Sequence, residues 1–219
     1  SIFCFYTKQK SYFMICMIKK LQIYILGVIN LEKINVGCRF TLSVMSDNFI
    51  DIILGALNEV DMSKVQRKTD RVSTFIEGTA KDVFEVVQAV YKSAGKSGKH
   101  IVLNATFSTG QHEEYFEERK IKPKENMSSN QQLCASFPVS TQFSLYPLDT
   151  PHYVDIIKSG IGAVKQQGVF AETVPFATAL EGDVDKVFAS LYECFMKSVQ
   201  QARVVMTVNM SAHSPSSKR

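Results

Sequence analysis

The chain has 219 residues, of which 45% are apolar, and a formal net charge of +4. That length suits one large domain or two small ones with a packed core. The charge sits at the ends: residues 1–39 hold six Lys or Arg against one acid, Glu32, and the tail adds Lys218 and Arg219, so the body carries 17 basic against 20 acidic residues. A mildly acidic body lacks the clustered positive charge that phosphate tracking requires, which excludes nucleic acid as a partner.

In chain order, residues 1–36 form an apolar extension, SYFMICMIKKLQIYILGVIN at its centre, broken by Lys19 and Lys20. Neither side reaches the ~18 unbroken apolar residues of a membrane helix. No charged n-region or cleavage site marks a signal peptide. The stretch reads as a non-native or upstream-translated extension, with a weak interfacial anchor as the alternative. Five cysteines, odd in number and without a C-x-x-C pair, read as reduced, mostly buried thiols of a cytoplasmic protein, with no metal site.

From residue 37 onward the sequence is written twice. RFTLSVMSDNFIDII (39–53) answers QFSLYPLDTPHYVDII (142–157), TDRVSTFIEG answers TVPFATALEG, IEGTAKDVFEVV (76–87) answers LEGDVDKVFASL (180–191), and IVLNATFS answers VVMTVNMS, all at offsets of 103 to 104. Four ordered blocks indicate an internal duplication. The expected divisions are repeat 1 at 37–110, a charged linker at 111–139, repeat 2 at 140–212 and a tail at 213–219.

Each copy opens with an alternating strand, FTLSV or FSLYP. A helix with the stripe Ile50, Ile53, Leu54, Leu57, Val60 follows, or Val154, Ile157, Ile161, Val164 in the second copy, where Thr150 before Pro151 marks a helix start. Two short strands come next, in the first copy around Val65 to Lys68 and Arg71 to Glu77. Gly78 and Gly182 are then expected to turn the chain at positive φ, with Thr79 and Asp183 capping a second helix whose buried face in copy two is Val184, Val187, Phe188, Leu191 and Phe195. A closing strand, His100 to Ser108 or Arg203 to Ser211, completes the unit. The pattern predicts an α+β protein of tandem ferredoxin-like β-α-β-β-α-β repeats, with antiparallel sheets and helices on one face of each. Units of ~70 residues are marginal alone, so their open sheet faces are expected to pack on one another or on a second chain.

The closing strands place function on that open face. Ile101, Leu103, Ala105 and Phe107 alternate with Asn104, Thr106 and Ser108, and Val204, Met206, Val208 and Met210 alternate with Thr207, Asn209 and Ser211. First strands add Thr41 and Ser43, or Gln142, Ser144 and Tyr146. Polar residues on a sheet face can also be merely wetted. Other motifs fail on spacing: the G-K-S near Gly95 lacks a phosphate-loop glycine, Gly160 and Gly162 lie within a helical pattern, and His112-Glu113-Glu114 has no second histidine. No G-x-S-x-G elbow or matched histidine points to catalysis, and no aromatic pair suits RNA stacking.

CRFTLSVMSDNFIDII, KTDRVSTFIEG, HIVLNATFSTG and VVMTVNMSAHSP together resemble the YkoF-like thiamine/hydroxymethylpyrimidine-binding family, over roughly residues 38 to 215. The resemblance implies a cytoplasmic, non-catalytic homodimer that uses no cofactor and binds thiamine or its pyrimidine precursor in each repeat, linked with a membrane transporter for these compounds. Amide and hydroxyl groups can read an aminopyrimidine edge, and the thiazolium calls for an aromatic face or a carboxylate. On this reading Asn104, Thr106 and Ser108 serve one site with Asp70, Ser73 and Thr74. Thr207, Asn209 and Ser211 serve the other with Tyr146 and Thr178. The pairing of Asp70 with Thr173 implies unequal sites. The alternatives are a regulatory or structural transporter partner without its own ligand, and a thiamine-salvage enzyme.

Overall fold

The alternation of apolar and polar residues decides the architecture, because each inner strand turns its apolar set to the same side. The computed structural model describes residues 34–109, 130 and 135–218. The rest of the extension, most of the 111–139 linker with His112, and Cys4, Cys16 and Cys134 lie outside the described residues.

The first copy runs β1 (Asn35–Val44), α1 (Phe49–Glu59), β2 (Gln66–Thr69), β3 (Thr74–Thr79), α2 (Ala80–Gly95), β4 (Ile101–Thr109). The second runs β5 (Pro138–Leu148), α3 (Tyr153–Gln166), β6 (Phe170–Val174), β7 (Ala177–Asp183), α4 (Val184–Val199), β8 (Arg203–Ala212). Both follow the expected β-α-β-β-α-β order in the α+β class.

Within the chain the sheets do not pack face to face. They join edge to edge through β4 and β8 into one antiparallel eight-stranded sheet, ordered β2-β3-β1-β4-β8-β5-β7-β6. Each closing strand would otherwise present a row of unpaired N–H and C=O groups, and their pairing satisfies both rows at once. The register sets Asn104 opposite Asn209, Ala105 opposite Val208 and Thr106 opposite Thr207. Since Asn104 and Thr207 are equivalent in the duplication, a pseudo-two-fold axis passes through the Ala105–Val208 pair.

All four α-helices of the described residues cover one face. Phe84 of α2 stacks on Phe107 of β4 at 4.1 Å and meets Phe195 of α4 at 5.5 Å, so the aromatic core spans both repeats. Val184, Val187, Phe188, Leu191 and Phe195 are buried as expected, each contributing ~1.5–3 kcal/mol relative to exposure. Cys38 and Cys194 are free thiols in this layer, and burial pushes the Cys194 thiol up to about 12.

Four local expectations need correction. Gly78 and Gly182 do not turn the chain: β3 and β7 run straight through them into the caps. Gly182 does take the expected positive φ, 157°, and Gly78 does not; both also allow close approach, since a Cβ at Gly78 would stand 3.1 Å from Val65 Cγ1 and one at Gly182 would stand 3.1 Å from Val169 Cγ1. The caps themselves hold: Thr79 Oγ1 accepts from Asp82 N at 3.2 Å and Asp183 Oδ1 accepts from Asp185 N at 2.9 Å. Thr150 Oγ1 accepts from His152 N at 3.1 Å, but α3 begins only at Tyr153, so it braces the entry turn. The α1 stripe is rotated: Ile50 and Leu54 are 57% and 53% exposed and Ala56 is buried instead, while Val60 is buried as expected. In the first hairpin, residues 71–73 belong to the turn, and pairing Thr69 with Thr74 and Thr173 with Thr178 makes Val174, not Thr173, the counterpart of Asp70.

A candidate ligand face on the central sheet

The face opposite the helices is built from the polar half of each alternation. Asn104 and Thr106 on β4 and Asn209 on β8 are exposed, and Thr207 is half-buried beside them. Register extends two rows across the sheet, Thr41–Asn104–Asn209–Gln142 and Arg39–Thr106–Thr207–Ser144. Neighbouring residues in such rows stand roughly 4.5–5.5 Å apart, so amides and hydroxyls from four strands form one continuous donor and acceptor field.

Outside these rows lie Ser108, opposite Gly37 and Val205, and Ser211, opposite Val102 and Ser140. Ser108 Oγ donates to the Thr109 carbonyl at 3.3 Å, and Ser211 Oγ lies 3.0 Å from His100 Nε2. Tyr146 is on the same face, 48% exposed, opposite Val205.

Asp70 and Ser73 meet this face through β1. Arg39 Nη1 donates to Asp70 Oδ2 at 2.9 Å and to Ser73 Oγ at 2.7 Å, and its guanidinium lies 5.5 Å from the centre of the Phe75 ring. Asp70 Oδ1 accepts from the backbone N–H groups of Val72 and Ser73, both at 2.8 Å. Those two backbone donors, followed by Arg39, hold the Asp70 carboxyl at about 2.

Thr74 and Thr178 do not join the face. Thr74 lies opposite Phe40 and Thr178 opposite Phe143, both strand residues that point beneath the helices, and both threonines are buried there. Thr74 Oγ1 is satisfied locally by Thr69 Oγ1 at 3.1 Å. The central rows also mix the two proposed sets, since Asn104 of one faces Asn209 of the other.

Arg39 is the residue that sequence reasoning passed over. The alternation that singles out Thr41 and Ser43 places Arg39 with them, at the end of the basic N-terminal region. Glu77 and Glu181, equivalent in the duplication, differ in place: Glu77 is buried and accepts from Asn35 Nδ2 at 2.6 Å, whereas Glu181 is exposed. Among the described residues no cluster of His, Cys, Asp or Glu is arranged to hold a metal ion, and no helix is long and apolar enough to cross a membrane.

A family profile described as "YKOF-related Family" matches residues 35–112 and again 138–217, one match for each repeat. The chain belongs to the YkoF-related family. It is 40% identical over 188 residues to a Bacillus subtilis (strain 168) protein named "Putative HMP/thiamine-binding protein YkoF", covering 83% of this chain and 92% of that relative. A solved structure, "Structure of domain of unknown function DUF77 from Bacillus cereus", matches 34% of this chain and 75% of its own at 24% identity with a TM-score of 0.32.

Proposed function

We propose that this protein is a non-catalytic binder of thiamine or its hydroxymethylpyrimidine precursor, holding ligand over each half of the open sheet face and serving uptake or salvage of the vitamin in the cytoplasm. The observation that carries this reading is the central polar field, Asn104, Thr106, Thr207 and Asn209, on a face that no helix of the described residues covers. Two amides beside two hydroxyls match a flat heterocycle whose edge alternates donors and acceptors. The name of the Bacillus subtilis relative supports the ligand class. A second copy of the chain meets this face and encloses the ligand, since stacked sheets lie ≈ 10 Å apart, room for a flat ring between side chains.

Native mass spectrometry and titration calorimetry with thiamine and with hydroxymethylpyrimidine test the reading together. A dimer taking up ligand on both halves is expected. Asn104→Ala should cost about five- to 150-fold in affinity, the equivalent of ~1–3 kcal/mol for a lost buried partner. A dimer that binds neither compound would favour the ligand-free transporter partner, and turnover of either compound would favour the enzyme.

A further inference from the structure

The two halves of the open face differ at the charged pair nearest the central field, Arg39 and Asp70. Strand register maps Arg39 onto Gln142, and hairpin register maps Asp70, Ser73 and Phe75 onto Val174, Ala177 and Ala179. The same mapping sets Tyr146 where the first half has Ser43, and Phe176 where it has Val72.

In the first half the charges are fixed before any ligand arrives. The Asp70 carboxylate accepts from two backbone N–H groups and from Arg39, while Arg39 Nη1 has two acceptors and Phe75 beneath its guanidinium. Their order across the sheet matters. Arg39 is on β1, directly opposite Thr106 of the central field, whereas Asp70 is on the β2–β3 turn, farther from the centre. A molecule over the central strands therefore meets the guanidinium first. The second half offers a neutral amide in that place. Ser144 Oγ donates to the Phe176 carbonyl at 2.7 Å, which anchors the hairpin tip, and the Phe176 ring is 96% exposed.

These surfaces suit different ligands. An aminopyrimidine is neutral and presents a ring-nitrogen acceptor beside an amine donor, which a guanidinium and a carboxylate side by side can read. A thiazolium carries a fixed positive charge. Beside a guanidinium roughly 6 Å away, whose charge the more distant Asp70 carboxylate offsets in part, it is disfavoured by about fivefold, whereas exposed aromatic rings attract it.

We propose that the first half of the face is selective for the neutral pyrimidine alcohol over thiamine, with Arg39 as the specificity-determining residue, and that the second half, through Gln142, Tyr146 and Phe176, prefers the thiazolium cation. This rests on the thiamine/hydroxymethylpyrimidine reading above.

The test is calorimetric titration of the full chain and its variants with each compound separately, circular dichroism confirming the fold of each variant. Arg39→Gln is expected to tighten thiamine at the first half about fivefold and to weaken the pyrimidine alcohol there. Gln142→Arg is expected to weaken thiamine at the second half by a similar factor. Arg39→Lys keeps the cation but not the fork, so it should still disfavour thiamine while losing pyrimidine affinity. Thiamine affinities within twofold of the unaltered protein in both Arg39→Gln and Gln142→Arg would overturn the selectivity while leaving the ligand class standing. No heat from either compound with the unaltered protein would overturn the ligand class itself, and this inference with it.

Discussion

Lys92 Nζ of α2 stands 2.6 Å from Asp185 Oδ1 in the first turn of α4, an ion pair that ties one repeat to the other across the helical layer. Gln88 Nε2 donates to the same oxygen at 2.6 Å, and the carboxylate also faces the positive end of α4. The lysine stem is mostly covered, so the pair is better placed than an ordinary surface bridge. A double-mutant cycle of Lys92→Met and Asp185→Asn in urea unfolding is expected to give a coupling of about 0.5–1 kcal/mol, shrinking in molar salt. Zero coupling at low salt would make the pair incidental.

Gly95, the last residue of α2, is required by Phe137. A Cβ there would stand 2.2 Å from Phe137 Cζ, a ring that also packs against His213 at 5.0 Å and Tyr91 at 6.0 Å. His213 Nε2 lies 3.1 Å from the Gly95 carbonyl, which can only accept, so this nitrogen carries the proton. Gly95→Ala is expected to destabilise by about 1–3 kcal/mol through overpacking, and Phe137→Leu should recover part of that loss in the double variant. Additive losses in thermal or urea unfolding would refute the clash.

The fold was legible because the strands and second helices alternate cleanly and do so twice. Periodicity alone puts Phe107 and Phe195 in the core, and both are there. α1 was misphased because FIDIILGALNE is apolar on nearly every side; spacing then leaves rotation open, and packing against α2 selected Ala56 in place of Leu54. The edge pairing of β4 with β8 joins residues about a hundred positions apart, and no local pattern encodes it. On the open face, alternation located Asn104, Thr106, Thr207 and Asn209, since these strands run unbroken. It misplaced Thr74 and Thr178 because the extent of each hairpin turn sets which side the next strand presents, and a slip of one residue exchanges the faces.

Tyr91 is fully buried between Phe137 and Phe188, and its hydroxyl meets no hydrogen-bond partner among the described residues. An unpaired buried hydroxyl carries its desolvation cost without return. Tyr91→Phe is therefore expected to stabilise the protein by about 1 kcal/mol, read as a higher urea midpoint at unchanged slope. Burial also pushes the phenol well above its ordinary range, so the unfolded chain ionises first as pH rises. Stability should fall above about pH 10 in the native sequence, and less steeply in Tyr91→Phe. A lower midpoint in the variant would reveal a partner for the hydroxyl.

Asp70 supplies a pH signature for the turn that positions Arg39. Its carboxyl is held at about 2, below its ordinary 3.8, by the Val72 and Ser73 N–H groups first and Arg39 next. A depressed carboxyl contributes stability that is fully present above the unfolded value and is lost as pH falls through the folded one. The β2–β3 turn should therefore keep its structure to about pH 4 and loosen between there and 2. Carboxyl-detected NMR titration is expected to show an Asp70 midpoint near 2. Because the backbone donors lead, Arg39→Gln should raise that midpoint only part of the way, leaving it under 3.8, whereas Asp70→Asn should keep the turn but cost Arg39 its ion pair. An ordinary midpoint in the unaltered protein would mean that the turn does not hold Asp70 in solution, and the guanidinium on β1 would lose its ionic partner.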